Sequence, residues 1–265
     1  EITTRLVGSE MCIRDRCWSS CTNEVDEFIG NVEPSTRSVS TALNANLASL
    51  FTGGAPTLTS AEIKEVNDAY AKMTSINCYR NIDEAVRNKT SYAGTIFLDD
   101  TYASAYFRKG SLAFPPYGIL ASSMEHEFIH MYQRDVQGKK VDTDKEKRDT
   151  GMMEFELAFY QGIIRYIHAG YSWTFKGEDG DPSYQSLWTS GLTDPSLIPQ
   201  YEREFQTYVA SICANGKPTS IDINEFVKWS NIFGEYSRGY SGKGYKFGNY
   251  DYGTCLLYTS DAADE

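Results

Sequence analysis

The pattern of apolar and polar residues predicts a helix-rich chain with one short group of strands. A helix is predicted over 60–74, because a capping-box sequence runs from Thr59 to Glu62 and apolar residues then recur at helical intervals. Further helices are predicted over 81–88, 119–136, 152–168, 196–213 and 222–236, the last capped by Asp222. Runs with a β-strand composition cover 94–98, 104–107 and 111–114. This order predicts an α+β fold with a small N-terminal sheet and a mostly helical second half.

Polar segments separate these elements. Residues 22–40 are rich in Ser, Thr, Asn and Glu, which predicts a tether, and residues 137–150 are charged, which predicts a solvated loop. The Gly- and Tyr-rich residues 237–253 are expected to be irregular. The sequence contains no internal repeat and no clear internal boundary, so residues 41–254 are predicted to form a single domain.

Charge and composition narrow the possible functions. The 265 residues include 25 Lys and Arg against 36 Asp and Glu, which gives a formal net charge of −11. Nucleic acid is therefore not expected as a partner, because phosphate binding needs a basic surface. No run approaches the roughly 20 apolar residues that span a bilayer.

Both ends of the chain resemble translated sequencing adapter. Plausible codons for Met11–Asp15, read as the reverse complement and one base out of phase, encode the core of Cys255–Thr259. Two unrelated protein ends have no reason to be reverse complements. Residues 1–16 and 255–265 are therefore expected to be adapter-like artefact and are set apart from the fold.

Residues 17–40 begin with a cysteine motif. Cys21 follows two serines and precedes polar, acidic residues, which resembles the end of a bacterial lipoprotein signal. The resemblance implies lipidation of Cys21, a location at the bacterial cell envelope or surface, and membrane attachment only through that N-terminal anchor. The alternative is that Cys17 and Cys21 are ordinary cysteines. Cys78 and Cys213 remain, and an oxidising envelope would allow them to form a disulfide, although the sequence does not show that they meet.

The motif that indicates chemistry lies in the helix predicted over 119–136. His126, Glu127 and His130 form the pattern HExxH, and the chain contains only 3 histidines. Residues four apart on a helix differ by about 40° in direction, so both imidazoles leave the same face. Two such imidazoles can bind one Zn²⁺, and Glu127 beside them is suited to act as a general base on a metal-bound water.

A catalytic zinc needs a third protein ligand, and the next helix offers two candidates. No histidine follows at the HExxHxxGxxH spacing. Glu154 and Glu156 point about 200° apart on their helix, so only one of them can be the ligand. Glu156 shares a face with apolar residues, where a buried carboxylate needs a cation such as zinc. The residues themselves leave the choice open.

An HExxH helix followed by a glutamate on a second helix resembles the gluzincin zinc metallopeptidases. More narrowly, MEHEFIHMYQ followed by MEFELAFYQ resembles the zinc metallopeptidase lipoproteins of gut Bacteroidetes, over roughly residues 60–170. The resemblance implies a zincin-like fold and bound Zn²⁺. It also favours Glu154 as the third ligand, from the family pattern Glu-x-x-small, although Leu157 stands where Ala or Ser is usual.

These features predict a zinc metallopeptidase that hydrolyses a peptide or protein substrate with Glu127 as general base. A peptide is expected to pair with an edge strand at 94–98 or, preferably, at 111–114, which leads into the metal helix. His168 is expected to be a surface or capping residue, the alternative being a donor to the oxyanion, and the sequence does not identify the group that stabilises the oxyanion. The alternatives are a non-catalytic surface lipoprotein that binds a partner through a zincin-like fold, and hydrolysis of a non-peptide amide.

Overall fold

The computed structural model describes residues 42–139, 147–168, 193–212 and 222–237. These residues contain seven α-helices and one three-stranded sheet, so the predicted mixed and mostly helical α+β class is confirmed. None of the described helices is long and apolar enough to cross a membrane. The adapter-like ends, the tether and Cys21 lie outside the described residues. The chain divides into two compact units: the described residues 42–138 belong to the first, and those from Lys139 onward belong to the second.

The described part of the first unit contains four α-helices, and the last of them passes directly into a π-helical turn. The bounds are α1 Ala45–Leu50, α2 Ser60–Ser75, α3 Asn77–Lys89, α4 Ala121–Met131 and the π-helical turn Tyr132–Val136. The predicted capping box starts α2: the Thr59 side chain accepts from the Glu62 N–H, and the Glu62 carboxylate accepts from the Thr59 N–H. The sequence did not predict α1, which is only 6 residues long.

The sheet of the first unit has the strand order β1-β3-β2. Its strands are β1 Ile96–Leu98, β2 Tyr106–Arg108 and β3 Ser111–Phe114. The central strand, β3, runs parallel to β1 and antiparallel to β2. The preference for residues 111–114 as a substrate-pairing edge is therefore wrong, because both sides of β3 already carry strand hydrogen bonds.

A tight hairpin joins β2 to β3. Lys109 and Gly110 both have positive φ, at 51° and 78°, as expected for the two central residues of a type I′ turn. Gly94 packs against this turn so closely that a Cβ there would lie 2.2 Å from the Gly110 carbonyl oxygen. Only glycine fits at that position without a shift of the backbone.

The core of the first unit packs α4 against α2, α3 and β2. The Tyr70 and Phe128 rings lie 6.1 Å apart between α2 and α4. The fully buried apolar side chains here come from the four helices, from β1 and β3, and from the residue that follows α1: Leu47, Phe51, Val66, Met73, Val86, Ile96, Leu112, Met124, Phe128, Ile129 and Met131. Because the apolar side chains of α4 face this core, the remaining face of the helix is left for polar side chains.

The described part of the second unit is helical. It contains α5 Lys147–His168, a short 3₁₀ helix Pro195–Leu197, α6 Ile198–Ile212 and α7 Ile223–Tyr236. Contacts of α5 with α6 and α7 form an aromatic core of Phe155, Phe159, Phe205, Phe226, Trp229 and Phe233. The Asp222 side chain accepts from the Asn224 and Glu225 N–H groups, so the predicted cap of α7 is confirmed.

The charged segment 137–150 departs from its predicted form at both ends. The side chain of Lys139 is buried, and α5 begins at Lys147 rather than near residue 152. Lys and Arg favour helix as strongly as most apolar residues do, so charge alone does not mark the start of a helix.

Candidate metal centre

The two histidines of the HExxH motif lie on the same side of helix α4. His126 and His130 are partly exposed, whereas Phe128 and Ile129 are fully buried against the core. The two imidazole centroids lie 4.7 Å apart with an interplanar angle of 80°. Their Nε2 atoms lie 3.1 Å apart, so both nitrogens face the same point.

The distance between the two Nε2 atoms suits a shared metal ion. Two imidazole nitrogens at about 2.0–2.1 Å from one zinc, at a tetrahedral angle, lie about 3.3 Å from each other. The observed separation of 3.1 Å between His126 and His130 is close to that value. The spacing of the pair is therefore compatible with two ligands of one ion.

Glu127 lies beside this pair and is largely shielded from solvent. It is 5% exposed, and its Oε1 lies 4.0 Å from the His126 Nε2 atom. A carboxylate at this distance is too far from the nitrogen for a direct hydrogen bond, yet it can reach a water held at the same point. Such a placement is compatible with a general base.

The other ring nitrogen of His130 also has a partner in the same unit. The Nδ1 atom of His130 lies 2.9 Å from the Oε1 atom of Gln133, whose side chain is fully buried. Gln133 was not among the candidate site residues predicted from the sequence. Its position three residues after His130 was the signal that could have identified it, since side chains at i and i+3 are neighbours on a helix.

The π-helical turn that carries Gln133 is anchored to the sheet side of the unit. Asp135 accepts a hydrogen bond from the Tyr92 hydroxyl and forms an ion pair with Arg134. The Arg134 guanidinium carbon lies 4.3 Å from the centroid of the Phe107 ring. Burial and the neighbouring Asp135 carboxylate raise the pKa of Tyr92, so its hydroxyl remains a hydrogen-bond donor at neutral pH.

Helix α5 carries both candidates for the third ligand. Glu156 is fully buried, and its Oε2 atom lies 2.6 Å from the Lys139 Nζ atom. The cation that a buried Glu156 requires is therefore supplied by Lys139, which removes the argument that a metal must supply it. Glu154 is only half-buried on a different side of α5.

His126, His130 and Glu154 lie close enough to bind a metal: each offers one ligand atom, and these atoms lie within 4.8 Å of one another. Glu156 does not belong to this group. The side chain of His168 lies outside the described part of the chain. Cys78 is disulfide-bonded, and Cys213, with which the sequence would allow it to pair, lies outside the described residues.

Comparison with known proteins gives no match among protein-family models, curated proteins or solved structures.

Proposed function

We propose that the chain is a zinc-dependent metallopeptidase. The observation that carries this proposal is the arrangement on α4: the Nε2 atoms of His126 and His130 lie 3.1 Å apart, with the buried Glu127 carboxylate beside them. A structural metal site needs ligands but has no use for a shielded base next to them. This arrangement therefore favours catalysis over a non-catalytic binding module.

His126, His130 and Glu154 would hold the metal. Imidazole nitrogen is a common ligand of zinc and a poor one for Mg²⁺ or Ca²⁺, so two histidines and one carboxylate favour Zn²⁺. Three protein ligands would leave room for a bound water, which a catalytic zinc site requires. Zinc would act as a Lewis acid and lower the pKa of this water toward about 7.

Glu127 would act as the general base and then as the general acid. It would take a proton from the attacking water while the oxygen bonds to the carbonyl carbon of the peptide. It would deliver that proton to the nitrogen as the bond between carbon and nitrogen breaks. Its burial limits competition from bulk water, so the proton stays between the carboxylate and the reacting atoms.

A peptide substrate would pair with one of the two edge strands of the sheet, β1 or β2. β2 lies against α4, and β1 already uses the Ile96 N–H to donate to the Gly54 carbonyl. This favours the outer side of Tyr106–Arg108 as the pairing edge. The zincin-like fold, the lipid anchor at Cys21 and the location at the cell envelope belong to the same proposal.

Zinc content and peptidase activity of the full chain test this proposal. The chain is treated with chelator, reloaded with zinc, and assayed on a mixture of unrelated peptides by mass spectrometry. We expect one zinc per chain and cleavage that is lost in Glu127→Gln, with zinc binding retained. The matched control is Glu125→Gln, a second buried glutamate of α4, which should keep its activity.

Two outcomes would contradict the proposal in different ways. Stoichiometric zinc without cleavage of any peptide would favour the non-catalytic binding module or hydrolysis of another amide. Cleavage that survives in Glu127→Gln would show that this carboxylate is not the base.

A further inference from the structure

We infer that Gln133 is a positioning residue that fixes the proton of His130 on Nδ1 and so keeps Nε2 available for the metal. The inference rests on the proposed metal site and adds a residue to it. Its basis is the 2.9 Å distance between the His130 Nδ1 atom and the Gln133 Oε1 atom, together with the complete burial of Gln133.

The chemistry of the two groups assigns the proton. An amide oxygen can only accept a hydrogen bond, so the Nδ1 atom of His130 must donate. A neutral imidazole carries a single N–H, and Nε2 is then left with its lone pair. That lone pair faces the Nε2 atom of His126, where both nitrogens would share one ion. A histidine with the opposite tautomer could not bind the metal through Nε2.

The burial of Gln133 favours keeping the His130 proton on Nδ1. Gln133 is 0% exposed, so water cannot readily replace its oxygen as the acceptor. A variant without that oxygen would leave the Nδ1–H group facing an apolar side chain, and an unpaired buried donor is unfavourable. The imidazole would then redistribute its proton toward Nε2 or rotate away from the metal position.

The π-helical turn that carries Gln133 is held by a contact outside α4. The Gln137 N–H donates to the Tyr132 carbonyl at 3.1 Å, which closes a turn one residue wider than that of an α-helix. Asp135 within this turn accepts from the Tyr92 hydroxyl, so the turn is anchored at a residue outside α4. The acceptor of His130 is therefore held by the fold as well as by the helix that carries the histidine.

Zinc affinity and imidazole NMR of the full chain test this inference. Gln133→Met keeps the length of the side chain but removes the acceptor, whereas Gln133→Glu keeps an acceptor at the same place. We expect Gln133→Met to weaken zinc binding by about 10–100-fold in competition with a chelator, and Gln133→Glu to bind zinc at least as tightly as the unchanged chain. Nitrogen-15 NMR of the metal-free chain should show the proton of His130 on Nδ1, and Gln133→Met should shift it toward Nε2.

The control is Gln161→Met, which removes a second buried glutamine, about 10 Å along α5 from Glu154. It should leave both the zinc affinity and the His130 tautomer unchanged. If folded Gln133→Met binds zinc as tightly as the unchanged chain, the inference is overturned while the proposed function stands.

If the unchanged chain binds no zinc, the proposed function and the inference fall together. Should Gln133→Met not fold, the unchanged chain and Gln133→Glu decide the matter. A proton on Nε2 of His130 in the unchanged chain, or loss of zinc affinity in folded Gln133→Glu, would overturn the inference.

Discussion

The ammonium nitrogen of Lys139 lies 2.6 Å from a carboxylate oxygen of Glu156, and the two side chains are 5% and 0% exposed. This pair assigns different roles to the two glutamates of α5. Glu156 neutralises a buried lysine, whereas Glu154, about 200° away around the helix, is left partly exposed near the two histidines. The buried ion pair thus occupies Glu156, which is not part of the group of candidate metal ligands.

Removing the lysine should be costly to the fold. Lys139→Met leaves the Glu156 charge buried without its cation, so we expect the free energy of unfolding to fall by about 3–5 kcal/mol. The double variant Lys139→Met/Glu156→Met should recover most of that loss, because two apolar side chains of similar size replace the pair. Urea denaturation followed by circular dichroism measures both changes. Equal stability of the single variant and the unchanged chain would show that the pair is solvated.

Zinc affinity should distinguish the two glutamates. Glu154→Gln removes the proposed third ligand, so we expect zinc binding to weaken by at least about tenfold. Glu156→Gln removes a carboxylate of the same helix that is already paired with Lys139, and its zinc affinity should stay within about threefold of the unchanged chain. Isothermal titration of the chelator-treated variants provides the comparison. The reverse order of affinities would identify Glu156 as the ligand.

The stability of the first unit should carry a pH signature from Asp83. This side chain is 1% exposed; its Oδ2 accepts from the Tyr70 hydroxyl and from Arg87, while Oδ1 has no hydrogen-bond partner. Burial raises the pKa of Asp83 above its ordinary value, and Tyr70 and Arg87 only partly offset this effect.

A raised pKa in the folded state means that Asp83 contributes most to stability below its unfolded pKa of about 4, and that this contribution is lost as the pH rises through the folded pKa. We therefore expect the free energy of unfolding of Asp83→Asn, relative to the unchanged chain, to increase from about pH 3 toward neutrality and then to level off. Urea denaturation of both proteins across this range measures the difference, in which other titrating groups largely cancel. A difference that decreases over the same range would mean that Arg87 outweighs burial.

The disulfide at Cys78 should contribute measurably to stability. Loss of a native disulfide in a small domain typically costs about 2–5 kcal/mol, so Cys78→Ser should unfold at a lower temperature than the unchanged chain. Reductant should lower the melting temperature of the unchanged chain toward that of the variant. If Cys213 is the partner, Cys213→Ser should match Cys78→Ser, and the double variant should be no less stable than either one. Additive losses would exclude this pairing.

The features that the sequence predicted correctly depend on neighbours along the chain. The capping box of Thr59 and Glu62, the cap at Asp222 and the common face of His126 and His130 each follow from a spacing of two to four residues. Helical geometry converts such a spacing directly into a direction in space, so no knowledge of the tertiary fold is needed.

The features that it missed depend on distant partners or on a change of local geometry. Residues 111–114 were preferred as an edge, but strand order is set by tertiary contacts, and both β1 and β2 pair with that strand. Lys139 was placed in a solvated loop because its partner, Glu156, lies 17 residues away. The π-helical turn has no composition that separates it from an ordinary continuation of α4.

Because of that turn, the number of residues in this segment matters more than the identity of many of its side chains. Deleting one residue between Met131 and Gln137 would let α4 continue as a regular α-helix, and every later side chain would swing by about 100° around the axis. Asp135 would no longer accept a hydrogen bond from the Tyr92 hydroxyl. The segment that carries the Gln133 amide would then lose its contact outside α4. Among related sequences, insertions and deletions should therefore be rarer across these few positions than exchanges of one residue for another.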